Sequence, residues 1–150
     1  MQTNLDSYSE YGKLMIQKFR DKIENRELQI ITAELQDLVF INHFDINKLL
    51  LINCENANLI GQSQTVKELH IFNCSYFNLN KFQLGNLEVF VYRSFENYEE
   101  DEQEDQNLIE QLIQFQKLKE LNIKGKYISD LSYLDTTHQT MSKYMLTGQY

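Results

Sequence analysis

A motif that returns every 20 or 21 residues constrains this chain more than any other feature. Ile46-x-x-Leu49-x-Leu51-x-x-Cys54 aligns with Val66-x-x-Leu69-x-Ile71-x-x-Cys74. Leu87-x-x-Phe90-x-Tyr92-x-x-Phe95 repeats it with aromatics, and Leu118-x-x-Leu121-x-Ile123-x-x-Lys126 repeats it with a polar last position. Leu28-x-Ile30-x-x-Ala33 is a first copy in which Asn25 stands in place of the leading leucine. The middle apolar residue of each copy serves as an anchor. The anchors are residues 28, 49, 69, 90 and 121, spaced by 21, 20, 21 and 31. Ten residues after each anchor stand Leu38, Leu59, Leu79, Glu100 and Leu131. A second, independent column therefore keeps the period and fails only at Glu100, so chance explains it poorly.

The physical content of the motif is a strand. L-x-L alternates with period two and places its apolar residues on one face. One copy cannot bury that face alone, so successive copies must stack into a parallel sheet, with the remaining leucines closing back over it.

The pattern L-x-x-L-x-L-x-x-N/C resembles the leucine-rich repeat family over about residues 25–134. The segment LKELNIKGKYISDLSYL looks like the short class of 20–22 residues, which includes bacterial internalins and a phosphatase-one regulatory subunit. The Asn- and Gln-rich composition with an N-terminal helix is similar to the large repeat families of diplomonad-type protists. The resemblance implies an α/β leucine-rich repeat solenoid, with a curved parallel sheet on its concave side. It also implies a domain of about five copies over 25–134 and makes a regulatory or targeting subunit of an enzyme such as a phosphatase worth weighing. Lys126 and Phe95 depart from the expected Asn or Cys, and the first and last copies are incomplete.

Composition bounds the partners. At 150 residues the chain is one domain or part of a longer array. It has no proline and five glycines, against about seven and ten at average usage. Strands paired on both sides need every backbone N–H, which accounts for part of that absence. Net charge is −8, from 22 acids and 14 bases. Seven of those acids lie in 96–105, which leaves 15 acids against 14 bases elsewhere. A nearly neutral body lacks the basic face that phosphate neutralisation requires, so no nucleic-acid partner is expected. The start lacks a basic segment followed by an apolar run, and no apolar stretch reaches the length of a membrane span. A cytoplasmic chain without a membrane partner is the expectation.

Residues 1–24 read as an N-terminal amphipathic capping helix over 7–24, with Tyr8, Tyr11, Met15, Phe19 and Ile23 on one stripe and Ser7-x-x-Glu10 as a capping box; a partner-binding or membrane-surface helix is the alternative. The run 96–105 is an acidic insertion, either a solvated loop or a recognition loop for a basic partner surface. Residues 106–116 follow with helical spacing. Residues 135–150 carry no further L-x-x-L-x-L and read as a tail or weak C-terminal cap.

Little in the chain suggests chemistry. Cys54 and Cys74 occupy one column a copy apart and are expected to be structural free thiols. No CxxC or HxxxH spacing offers zinc its further ligands. His43, His70 and His138 are scattered, and a Gly-rich phosphate loop is absent. The expectation is a non-enzyme without cofactor or metal, with another protein as partner, and monomeric.

The outward strand positions are more informative. The column after the anchor reads Gln29, Leu50, His70, Val91, Asn122, and the column three after reads Ile31, Ile52, Phe72, Arg93, Lys124. The column before reads Glu27, Lys48, Glu68, Val89, Glu120. Apolar residues on an outward face mark a protein contact, and aromatic and Arg residues are enriched at hot spots. Leu50, Ile52, His70, Phe72, Val91 and Arg93 are therefore the candidate partner-binding residues of an interaction module. The alternatives are that the N-terminal helix covers Ile31, Ile52 and Phe72 or that they merely decorate the sheet. A fragment of a longer repeat array also stays open.

Overall fold

The computed structural model describes residues 4–55, 59–74, 78–93, 110–125 and 143–148. One α-helix, α1 (Glu10–Phe19), precedes the strands. These are β1 (Glu27–Ile31), β2 (Lys48–Ile52), β3 (Gly61–Gln62), β4 (Glu68–Phe72), β5 (Phe82–Gln83), β6 (Val89–Arg93), β7 (Glu120–Gly125) and β8 (Lys143–Gly148). Six of them form one sheet in the order β1-β2-β4-β6-β7-β8, and every neighbouring pair in it is parallel. β3 and β5 form a separate parallel pair on the return segments. The chain is thus α/β with a parallel sheet.

Each copy of the motif becomes one strand because its alternation gives it one apolar side. Leu28 and Ile30, Leu49 and Leu51, Leu69 and Ile71, Phe90 and Tyr92, and Leu121 and Ile123 are all buried on the inner face. Each such leucine or isoleucine contributes about 1.5–3 kcal/mol by leaving water. The register runs anchor to anchor, Leu28 to Leu49 to Leu69 to Phe90 to Leu121. β7 joins β6 in that register although 31 residues separate their anchors. The ten extra residues therefore leave the register unchanged. The acidic segment 96–105 itself lies outside the described residues, as do residues 106–109 and Leu131. Of the helix predicted over 106–116, Glu110 and Gln111 are α-helical and Leu112–Gln114 form a 3-10 turn.

Strands end in a repeated device. Thr32, Asn53 and Asn73, each four residues after an anchor, take left-handed φ values of 51°, 52° and 53°. Their N–H groups donate to Ile52 O (2.9 Å), Phe72 O (2.9 Å) and Arg93 O (2.8 Å) on the next strand. Asparagine adopts this conformation at low cost because its short amide can bond locally, whereas the branched Thr32 adopts it at a higher cost. Asn73 Nδ2 also donates to Asn53 Oδ1 at 2.9 Å. Just beyond, Cys54 and Cys74 turn inward as free, buried thiols. Cys54 Sγ meets Ile30 O at 3.5 Å, Cys74 Sγ meets Leu51 O at 3.4 Å, and Cys54 N–H donates to Cys74 Sγ at 3.4 Å. The hydrogen bond with Cys54 and burial push the Cys74 thiol above its ordinary range.

The return segments satisfy their backbone with side chains. Asp37 Oδ1 accepts from Val39 N–H (3.0 Å) at the start of the 3-10 turn Val39–His43, which buries Phe40 and Ile41. Leu79 N–H donates to Gln111 Oε1 at 2.7 Å, and Leu79 O accepts from Gln114 Nε2 at 2.8 Å. Part of the glutamine richness thus closes backbone groups that a neighbouring strand does not reach.

α1 is shorter than the span predicted over 7–24. It runs from Glu10 to Phe19 and continues as a 3-10 turn, Arg20–Lys22. Its N-cap is Ser9, whose hydroxyl accepts from Gly12 N–H at 3.1 Å. Ser7, the predicted cap, is used elsewhere: its hydroxyl donates to Asn4 O at 2.7 Å within the preceding turn Leu5–Ser7. Tyr8 and Phe19 are buried as the stripe required, and Ile16, outside that stripe, is buried as well. A helix of ten residues is marginal alone in water. Packing holds it, chiefly Phe19 stacked on Phe40 at 5.9 Å and Tyr11 edge-on to Phe40 at 6.3 Å.

The segment read as a tail contains β8. Its register sets Tyr144 and Leu146 at the positions of Leu121 and Ile123. Met141-x-x-Tyr144-x-Leu146 is the same spacing written without leading leucines. No helix among the described residues is long and apolar enough to cross a membrane.

Candidate functional site: the outer face of the sheet

The outward columns align as the period demands. Gln29, Leu50, His70, Val91 and Asn122 are neighbours across five strands, and so are Ile31, Ile52, Phe72, Arg93 and Lys124. The structure therefore gathers all six predicted contact residues on one face of three adjacent strands, β2, β4 and β6.

Their exposure differs from that of a protruding patch. Leu50 and Val91 are buried, each 9% exposed. Ile52, His70 and Phe72 are half-buried, and Arg93 is exposed. The reason is lateral. Strands lie about 4.8 Å apart, so a central side chain is walled by its partners across the sheet and by residues two along its own strand. The accessible surface is a shallow strip in which Phe72 and Arg93 offer more than Leu50 and Val91.

Phe72 is the centre of that strip. The His70 ring meets it edge-on, with centroids 5.8 Å apart and planes at 88°. The Arg93 guanidinium lies 5.9 Å from the Phe72 ring centroid, within cation–π range. The Phe72 ring is thus held between an imidazole and a guanidinium.

One border of the strip is charged. Glu27, Lys48 and Glu68 alternate in sign across β1, β2 and β4. Lys48 Nζ lies 3.8 Å from Glu27 Oε2, and His70 Nε2 lies 3.3 Å from Glu68 Oε2. Burial lowers the His70 pKa, while the Glu68 hydrogen bond opposes that and the Lys48 charge adds to it. His70 is thus predominantly neutral at pH 7. Sequence reading placed Glu27, Lys48 and Glu68 on this face but missed their pairing. The alternating signs of the column were the available signal.

The N-terminal helix packs on the 39–43 turn through Phe19 and Phe40. Ile31, on the end strand, is 55% exposed. Among the described residues no group of three or more His, Cys, Asp or Glu is arranged to hold a metal. His43 packs edge-on against Tyr8 at 5.8 Å and Phe44 at 5.6 Å, and His138 lies outside the described residues. No family model, curated protein or solved structure matches the chain.

Proposed function

We propose that the chain is a leucine-rich repeat solenoid, its sheet concave and α1 its N-terminal cap, that binds another protein on the outer sheet face. The observation that carries this reading is the Phe72 anchor, held between His70 and Arg93 on a strip that also presents Ile52. The strip has directional contacts for one cation–π pair and one imidazole, and the charged border sets orientation. The strict register supports the repeat reading, because like positions of successive copies fall into columns even across the 31-residue gap between Phe90 and Leu121. The helix, apolar toward Phe40 and polar outward, suits a cap over the end of such a stack. The role is that of a binding module or adaptor, without chemistry of its own.

The test is a pull-down with the Phe72→Glu, Arg93→Ala double variant beside the unaltered chain. Both residues lie on the accessible part of the strip, so the fold persists, and circular dichroism verifies it. Selective loss of one bound protein is expected. Identical recovery of every bound protein by a folded double variant would refute the reading.

A further inference from the structure

A second surface lies at the end of the sheet, and it is independent of the outer face. Among the described residues β1 is an edge strand, paired only with β2. Thr32 N–H donates to Ile52 O and Arg26 O accepts from Lys48 N–H, so the even-numbered residues of this strand face β2. The N–H and C=O groups of Gln29 and Ile31 therefore point to the open edge. Those of Glu27 are already taken, since Glu27 N–H donates to Glu24 O at 2.9 Å and Glu24 N–H to Glu27 O at 3.2 Å.

A groove of about 730 Å³ runs beside these free groups, between the edge and the end of α1, with Lys18, Phe19, Lys22 and Ile31 in its walls. The ammonium groups of Lys18 and Lys22 sit 5.3 and 5.9 Å from the Phe19 ring centroid. No carboxylate of the described residues lies within ion-pair distance of either. Glu24 and Glu27 also line the groove, but Glu27 is engaged by Lys48 Nζ and by Gln29 Nε2 at 3.0 Å. Two ammonium groups thus face one uncommitted carboxylate.

We propose that this edge takes an extended segment of another polypeptide as an added strand, with carboxylates on the side facing Lys18 and Lys22. Gln29 and Ile31 supply the main-chain hydrogen bonds. Period-two alternation then places acidic side chains toward the lysines and apolar ones beside Ile31. An unprotected edge with an exposed isoleucine is a template for such pairing, and the lysines select its charge.

The probe is a ten-residue peptide of alternating valine and glutamate, compared with its valine–lysine counterpart, read by backbone amide shifts and hydrogen exchange. The valine–glutamate peptide is expected to shift and protect the Gln29 and Ile31 amides saturably. The exposed pair Lys18→Glu, Lys22→Glu should weaken it about tenfold and turn the preference toward the valine–lysine peptide. Phe72→Glu should leave it unchanged, which keeps this surface separable from the outer face. Equal affinity for both peptides, shifts centred on His70 and Phe72, or no saturable shift at Gln29 and Ile31 would overturn the proposal. So would occupation of the edge by a second copy, seen as a concentration-dependent doubling of mass that Gln29→Pro abolishes.

Discussion

Replacing Thr32 by asparagine should stabilise the protein. Thr32 holds φ 51°, while the equivalent positions of the next two copies are Asn53 and Asn73 at 52° and 53°. For an L-residue the left-handed region costs roughly 1–2 kcal/mol, most for a branched side chain and least for asparagine. The exposed Thr32 side chain packs little, so its removal forfeits little. An amide there also stands beside Asn53 as Asn53 stands beside Asn73, and one more exposed hydrogen bond adds about 0.5–1 kcal/mol at most. The sum favours Thr32→Asn by about 1 kcal/mol, or roughly 2–4 °C in Tm for a chain of this size. Two further variants separate the contributions. Thr32→Gly relieves the strain but loosens the unfolded chain by about 0.5–1 kcal/mol, so it should fall near the unaltered protein. Asn53→Thr imports the strain and breaks the bond to Asn73, and should lose about 1–2 kcal/mol. Equilibrium urea unfolding followed by circular dichroism measures all three, with an unchanged slope confirming that stability alone has moved. If Thr32→Asn gains nothing and Asn53→Thr loses nothing, left-handed strain does not govern these strand ends.

Gly61→Ala should destabilise by about 1–3 kcal/mol, because a Cβ there would stand 2.7 Å from Leu38 O, a backbone atom that cannot swing aside; thermal unfolding reads it. Gln111→Ala leaves the Leu79 N–H without its acceptor and should cost about 1–2 kcal/mol in the same assay. Stability should also rise with pH through the histidine range. The folded His70 pKa lies below its unfolded value, so the unfolded chain binds more protons as pH falls below about 6.5, and stability drops there. His70→Gln should flatten that part of the urea-midpoint profile, and an unaltered slope would show that another group titrates.

The period alone made the strands, their parallel order and their columns legible. Leu49, Leu69 and Leu121 recur with apolar partners two residues on, and only stacking in register buries them all. The same arithmetic put Phe72 beside Arg93, since columns follow from spacing and need no knowledge of loops. β8 escaped because Tyr144 and Leu146 fill the register positions of Leu121 and Ile123 without a leading leucine. Other features depend on distances that spacing does not contain. Ser9 rather than Ser7 caps α1 because Leu5–Ser7 form a separate 3-10 turn and the helix begins only at Glu10. Leu50 and Val91 sink out of reach because neighbours on adjacent strands wall them in, while Phe72 stays accessible between His70 and Arg93. Among the described residues the edge of β1 is open because β1 is the end strand and α1 packs on the 39–43 turn. A pattern of residue types specifies which face each side chain takes. How much of that face remains for a partner is set by the three-dimensional neighbours of each side chain.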